Sequence, residues 1–217
     1  MNSTTRIPFR MAATIALAVR VMTLHANAQD ADSSRGHFEL KSNAFDNDTF
    51  LPLSAIHNTI VKGVNVCSPN GAPGSNESPE LSWSGVPWGT RSFVVITYDV
   101  TAAFTHWGMY NIPADTRKLP EDAGKKGSSF GAQIVNDFFM GAEYDGPCPP
   151  PNVAPDVHRY VFTIYALDVD ELKLPGSANF PASAETLYHA LIKAAREDHI
   201  LDTASLTGLY SSTPSSH

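Results

Sequence analysis

Apolar residues fall along this chain mostly in short runs, several of them alternating with polar ones, which is the mark of β-strands. His37 to Ser42 alternates and predicts a short strand, and Thr59 to Val66, with Val61, Val64 and Val66, predicts another. Glu80 to Trp83, His106 to Ile112 and Ile200 to Tyr210 read as further strands, and Gln133 to Phe139 as a strand or an irregular segment. Arg91 to Tyr98 holds Phe93, Val94, Val95 and Ile96, apolar on both parities, as a strand covered on both faces is. The densest run is His158 to Leu167, HRYVFTIYAL, rich in aromatic and β-branched residues. It predicts the central strand, with His158 on one face with Tyr160, Phe162 and Ile164.

Helical spacing is clear in one place. From Ser183 to Asp198, Leu187, Leu191 and Ala194 line one face, and Ser183 follows Pro181 as a candidate cap. The connections are rich in turn formers. Ser68 to Pro79 predicts a long loop, Pro52 to Asn58 an irregular link, Gly85 to Gly89 a turn, and Pro120 to Gly131 a surface loop. Gly146-Pro147-Cys148-Pro149-Pro150-Pro151 cannot continue a helix, because proline lacks the amide donor and fixes φ, so this loop is stiff. Many strands with one late helix predict a single, mostly antiparallel β domain.

The first residues change the picture of where the chain works. Arg6 and Arg10 precede the apolar run Met11 to Val19, which Arg20 interrupts. Ala26-Asn27-Ala28 then offers a small-x-small cleavage site before Gln29. This predicts a secretory signal peptide over residues 1–28 and one domain over 29–217, placed in the periplasm or the medium. The apolar run is too short for a permanent membrane span, and no later stretch qualifies. The formal charge of the 217 residues is −7, and loss of Arg6, Arg10 and Arg20 leaves the mature chain more acidic still. Such a surface argues against nucleic-acid partners and against adhesion to anionic lipid. The two cysteines, Cys67 and Cys148, predict a disulfide in an exported chain. No spacing of Cys or His calls for a metal, and nothing calls for a cofactor.

The segment GPCPP followed by HRYVFTIYAL resembles the signature of the phosphatidylethanolamine-binding protein family, in its bacterial, Raf-kinase-inhibitor-like branch. SPELSWSGVP (Ser78 to Pro87), RSFVVITYD (Arg91 to Asp99), HWGMYNIPAD (His106 to Asp115) and ASLTGLY (Ala204 to Tyr210) extend the likeness from His37 to Tyr210. The resemblance implies an antiparallel two-sheet β-sandwich with peripheral helices, including one near the C-terminus. It also implies a homodimer, and a small cavity for anions such as phosphate or for the head group of phosphatidylethanolamine. The walls of that cavity map to Asp99, His106, the segment Gly146 to Pro150 with Cys148, Pro149 and Pro150, and His158. Two histidines can donate to an oxyanion, and Asp99 can fix a histidine tautomer or accept from an ammonium or a protonated phosphate.

Each of these residues has a plainer role when taken alone. His106 would be an ordinary strand residue, His158 a packing residue and Asp99 a strand-exit turn residue. Their joint placement in matching motifs favours the site. The chain departs from the family after Asp99. Where the family reads Asp-Pro-Asp-Ala-Pro, this chain reads Asp99-Val100-Thr101-Ala102-Ala103, and the loop to His106 is shorter. The departure implies a mouth that is less rigid and less acidic. The chain has no Gly-x-Ser-x-Gly elbow, HExxH or phosphate-binding glycine loop, so no catalytic residue is assigned. A binding module is the reading favoured. A weak hydrolase using the His/Asp pocket, and an inhibitor acting on a protein target, are the alternatives.

Overall fold

The computed structural model describes residues 36–139, 141–177 and 181–214. The predicted signal peptide and the stretch 29–35 lie outside the described residues. The strands are β1 (Glu39–Lys41), β2 (Thr49–Phe50), β3 (Ile60–Val61), β4 (Val64–Asn65), β5 (Leu81–Ser84), β6 (Ser92–Asp99), β7 (Phe104–Pro113), β8 (Lys118–Leu119), β9 (Ala132–Gln133), β10 (His158–Leu167) and β11 (Ile200–Tyr210). Among the described residues one α-helix, α1 (Ala184–Arg196), precedes β11, and a short 3-10 turn covers Leu53–Ala55. Six strands form the main sheet in the order β2-β11-β10-β6-β7-β9, and three form the second, β1-β5-β8. All pairings are antiparallel except β2 with β11. The architecture is the mostly β sandwich with a C-terminal helix that the sequence implied.

β6 shows why its sequence is apolar on both parities. Phe93 and Val95 join the core with Phe38, Leu40, Trp83, Trp107, Phe162 and Ile164. Val94 and Ile96 point the other way and pack with Leu187, Leu191 and Ala194 of α1. One strand thus serves two apolar layers, each worth about 25 cal/mol per Å² buried. β10 is central, hydrogen-bonded to β11 on one side and β6 on the other. Its second face is only half covered, with Val161, Thr163 and Tyr165 part-exposed. α1 begins as expected: the Ser183 hydroxyl accepts from the Thr186 amide, and the Thr186 side chain accepts from the Ser183 amide, closing a capping box.

One expectation changes, and one reading left open between two alternatives is decided. Thr59 to Val66 is not one strand but a tight hairpin, β3 and β4, turned at Lys62 and Gly63, both at positive φ. A Gly in the second turn position permits this reversal. Ile60, Val61, Val64 and Val66 are exposed on it rather than buried. Gln133 to Phe139 is strand only at its start, in β9, with a bridge from Val135 to Ser183.

Cys67 and Cys148 form a disulfide, with Cα atoms 4.5 Å apart. It closes a loop of sequence separation 81 and ties the proline-rich segment to the body of the domain. Loop-closure entropy gives an upper figure of about 4.5 kcal/mol for this link. Replacing both cysteines by serine is expected to lower the unfolding free energy by up to that amount, measured by urea denaturation of oxidised wild type and the double variant.

Candidate functional site

Asp99 ends β6, His158 opens β10, and Tyr160 pairs with Asp99 across those strands. The placement of His106 depends on an irregularity in β7. Thr97 pairs with Trp107 and the next residue, Tyr98, with Thr105, so His106 is the extra residue of a β-bulge. The bulge breaks the two-residue period. His106 packs on Tyr160 and Trp107 on Tyr144, although the two residues are adjacent in the chain.

At the bulge the main chain of His106 takes a hydrogen bond from outside the named strands, from Asp145. The Asp145 amide donates to the His106 carbonyl at 3.1 Å. The His106 ring returns a bond from Nδ1 to the Asp145 carbonyl at 2.7 Å. The Asp145 carboxylate is fixed in turn, accepting from Asn136 at 2.8 Å and Asn76 at 3.1 Å, with His57 Nδ1 3.3 Å away. Burial works against the charge on Asp145, but the bonds from His57, Asn136 and Asn76 outweigh it and hold the carboxyl below the usual range. The same bond to Asp145, opposed by partial burial and helped by the Asp145 charge and by Asn76, raises His57.

His158 Nδ1 lies 2.6 Å from Asp99 Oδ2, both side chains being buried. Asp99 Oδ1 accepts from the amides of Thr101 and Ala102 at 2.8 and 3.1 Å. The Thr101 hydroxyl accepts from the Arg159 amide at 3.0 Å. The expected loosening of this loop therefore has a counterweight, since three hydrogen bonds tie the shortened segment to β6 and β10. Burial first, and then the negative charge of Asp99, push up the Tyr160 phenol, which remains a neutral O–H.

Between these groups lies a cavity of about 140 Å³. Of the residues singled out from sequence, Asp99, His106, Cys148, Pro149, Pro150 and His158 line it together. Gly146 stands behind the wall. Its amide donates to Asn76 Oδ1 at 2.7 Å, and a Cβ there would meet the Ala55 carbonyl at 2.0 Å, so glycine is needed for the loop to pass. Ala102, Phe104, Phe138 and Tyr160 complete the lining. Sequence reading missed those four, and it missed the supporting cluster of His57, Asn76, Asn136 and Asp145. Tyr160 was on the page as a neighbour of His158 at period two. The support cluster gathers polar loop residues from distant stretches, for which periodicity gives no signal. Among the described residues no group of His, Cys, Asp and Glu could hold a metal ion. No helix there is long and apolar enough to cross a membrane.

Fold and site define a β-sandwich protein with a small cavity at one end of its main sheet, lined by buried His and Asp side chains. A profile of the phosphatidylethanolamine-binding protein family matches residues 41–211. The UPF0098 protein YbhB of Escherichia coli is 35% identical over 147 residues, which is 65% of this chain and 85% of YbhB. A crystal structure of E. coli YbcL, described as a new member of the mammalian PEBP family, superposes with a TM-score of 0.63 at 30% identity, covering 81% of this chain and 99% of YbcL. A phosphatidylethanolamine-binding protein homologue from Chlamydia trachomatis, CT736, gives a TM-score of 0.56 at 29% identity, over 80% of this chain and 97% of that one. The chain belongs to the phosphatidylethanolamine-binding protein family.

The raised His57 gives a test of the support cluster. A raised histidine adds stability that is fully present below its unfolded pKa, about 6.5, and lost as pH rises through its higher folded value. His57→Gln is therefore expected to destabilise the protein more at about pH 5.5 than at about pH 8.5. Urea denaturation of both proteins at the two pH values checks this.

Proposed function

We propose that this chain is an exported binding protein for a small anion or phospholipid head group, of phosphate or phosphoethanolamine type, held in the cavity between β6, β7 and β10. The observation that carries this reading is the pair of histidines. Each engages Nδ1 on a protein acceptor, and both rings line one small cavity. The Nε2 atoms have no protein partner among the described residues and are not sealed from the cavity. Such a nitrogen donates to an oxyanion when its ring is charged, and accepts from an oxyanion's own O–H when its ring is neutral. The aromatic and proline walls give it a largely apolar surround, and a polar contact is stronger where the local dielectric is low.

Binding rather than turnover suits this lining. The one sulfur belongs to a disulfide, and apart from the Tyr160 phenol no lining side chain carries a hydroxyl, thiol or amine nucleophile. Export is supported by the N-terminal pattern and by the disulfide, a bond that persists in oxidising compartments. The periplasm or the medium is the compartment proposed.

His158→Asn keeps an amide to face Asp99 and removes Nε2. Loss of a charge-assisted bond costs roughly 1.5–3 kcal/mol, so this variant is expected to bind phosphate at least about tenfold more weakly. Wild-type binding is expected to strengthen on acidification, since Nε2 donates only from a charged ring. Calorimetry with inorganic phosphate decides: no binding by wild type, or equal binding by the variant, removes the reading.

A further inference from the structure

The two site histidines rest on different partners. His158 Nδ1 faces a carboxylate, Asp99, whereas His106 Nδ1 faces a main-chain carbonyl, that of Asp145. A carbonyl oxygen only accepts. His106 Nδ1 therefore carries the hydrogen, and in the neutral ring Nε2 is left as an acceptor lone pair. Burial favours the neutral ring, pushing His106 below the ordinary histidine value against the Asp145 carbonyl and the charges of Asp99, Asp145 and Asp137. The ring is held by Phe104, Phe138 and Tyr160, with centroids 5.1, 5.4 and 5.1 Å away. His158 lies on the same Tyr160 ring at 6.4 Å, so both histidines address one small ligand group. An anion that only accepts would set its lone pairs against that of His106, whereas a group with both an O⁻ and an O–H satisfies both rings.

We propose that His106 serves the cavity as a hydrogen-bond acceptor, so that the site selects oxyanions that carry their own proton, dihydrogen phosphate and phosphomonoester monoanions, over sulfate and phosphodiesters. This rests on the oxyanion reading of the cavity and specifies its ligand class. The His158 ring, held through Nδ1 on Asp99, presents Nε2 to P–O⁻ and donates there in its protonated form, and P–OH donates to His106 Nε2. No proton is transferred in forming the complex. Asp99 stays committed to His158 and to the amides of Thr101 and Ala102, which leaves His106 to receive the ligand's hydrogen.

The test is calorimetry of the mature protein at about pH 6, close to the second pKa of a phosphate ester at about 6. The probes are inorganic phosphate, phosphoethanolamine, sulfate and glycerophosphoethanolamine, a diester that retains the ammonium. Phosphate and phosphoethanolamine are expected to bind at least about tenfold more tightly than the other two. In His106→Asn the amide nitrogen takes the place of Nδ1 on the Asp145 carbonyl and nothing replaces Nε2. The ratio of phosphate to sulfate affinity is expected to fall close to one. Equal affinity of wild type for sulfate and phosphate, or a ratio unchanged in the variant, overturns the proposal and leaves the oxyanion reading standing. Equal binding of glycerophosphoethanolamine and phosphoethanolamine assigns the donor to the ammonium and likewise overturns it. Failure of all four probes to bind overturns both readings.

Discussion

The pair of hydrogen bonds between His106 and the main chain of Asp145 is the constraint on which the site depends. A bulge in an otherwise regular strand turns a side chain where alternation would not send it, at the expense of ladder bonds. Here the bulge residue is the histidine, and the residue that restores its bonding is two positions before Pro147. A buried, unsatisfied main-chain group costs about 1–3 kcal/mol, so the loop and the bulge stabilise each other. Asp145 then has a second task through its carboxylate, which holds Asn76, Asn136 and His57 around the back of the cavity. His57 stacks on Phe138, and Phe138 meets the edge of His106, so the support cluster also sets an aromatic wall.

Much of this was legible in the residues. Long strands show themselves when they have apolar layers to fill, and β6 does so at almost every position while β10 does so fully on one face. The helix was legible because its apolar stripe and its Ser183 cap agree. The disulfide followed from an even cysteine count in a chain whose first residues read as an export signal, and the cavity residues from the order of motifs that carry the family likeness. Asp99, His106 and His158 are far apart in sequence, yet each sits at or near a strand end that the apolar pattern marks.

What stayed hidden has common physical causes. Two-residue strands such as β2 and β8 are too short to show a period. The hairpin of β3 and β4 mimics a longer strand because its valines look like core residues, while only the positive φ at Lys62 and Gly63 betrays the reversal. The bulge at His106 is a property of pairing between strands, and a single strand's pattern cannot reveal it. Thr101 reads as the loss of an acid, yet its hydroxyl takes a hydrogen bond from the Arg159 amide and anchors the mouth of the cavity. Asn76, Asn136 and Asp145 look like ordinary loop polar residues until the fold makes them neighbours.

The proline loop explains why recognition falls on the histidine rings. Pro147, Pro149 and Pro150 have no amide hydrogen, and the Gly146 amide is taken by Asn76. The loop can offer the cavity the Cys148 amide at most, so it contributes shape far more than donors. The Pro147 carbonyl points back to the His57 amide, and the Tyr144 hydroxyl donates to the Ala55 carbonyl, which anchors the segment away from the cavity. The disulfide at Cys148 fixes the part that has no such bonds. A wall without donors leaves an entering oxyanion with His106 and His158 as its main polar partners. Because one ring rests on a carboxylate and the other on a carbonyl, the two are chemically unequal although they line the same cavity. That inequality comes from the bulge, which places the ring of His106 within reach of a main-chain oxygen rather than of an acid.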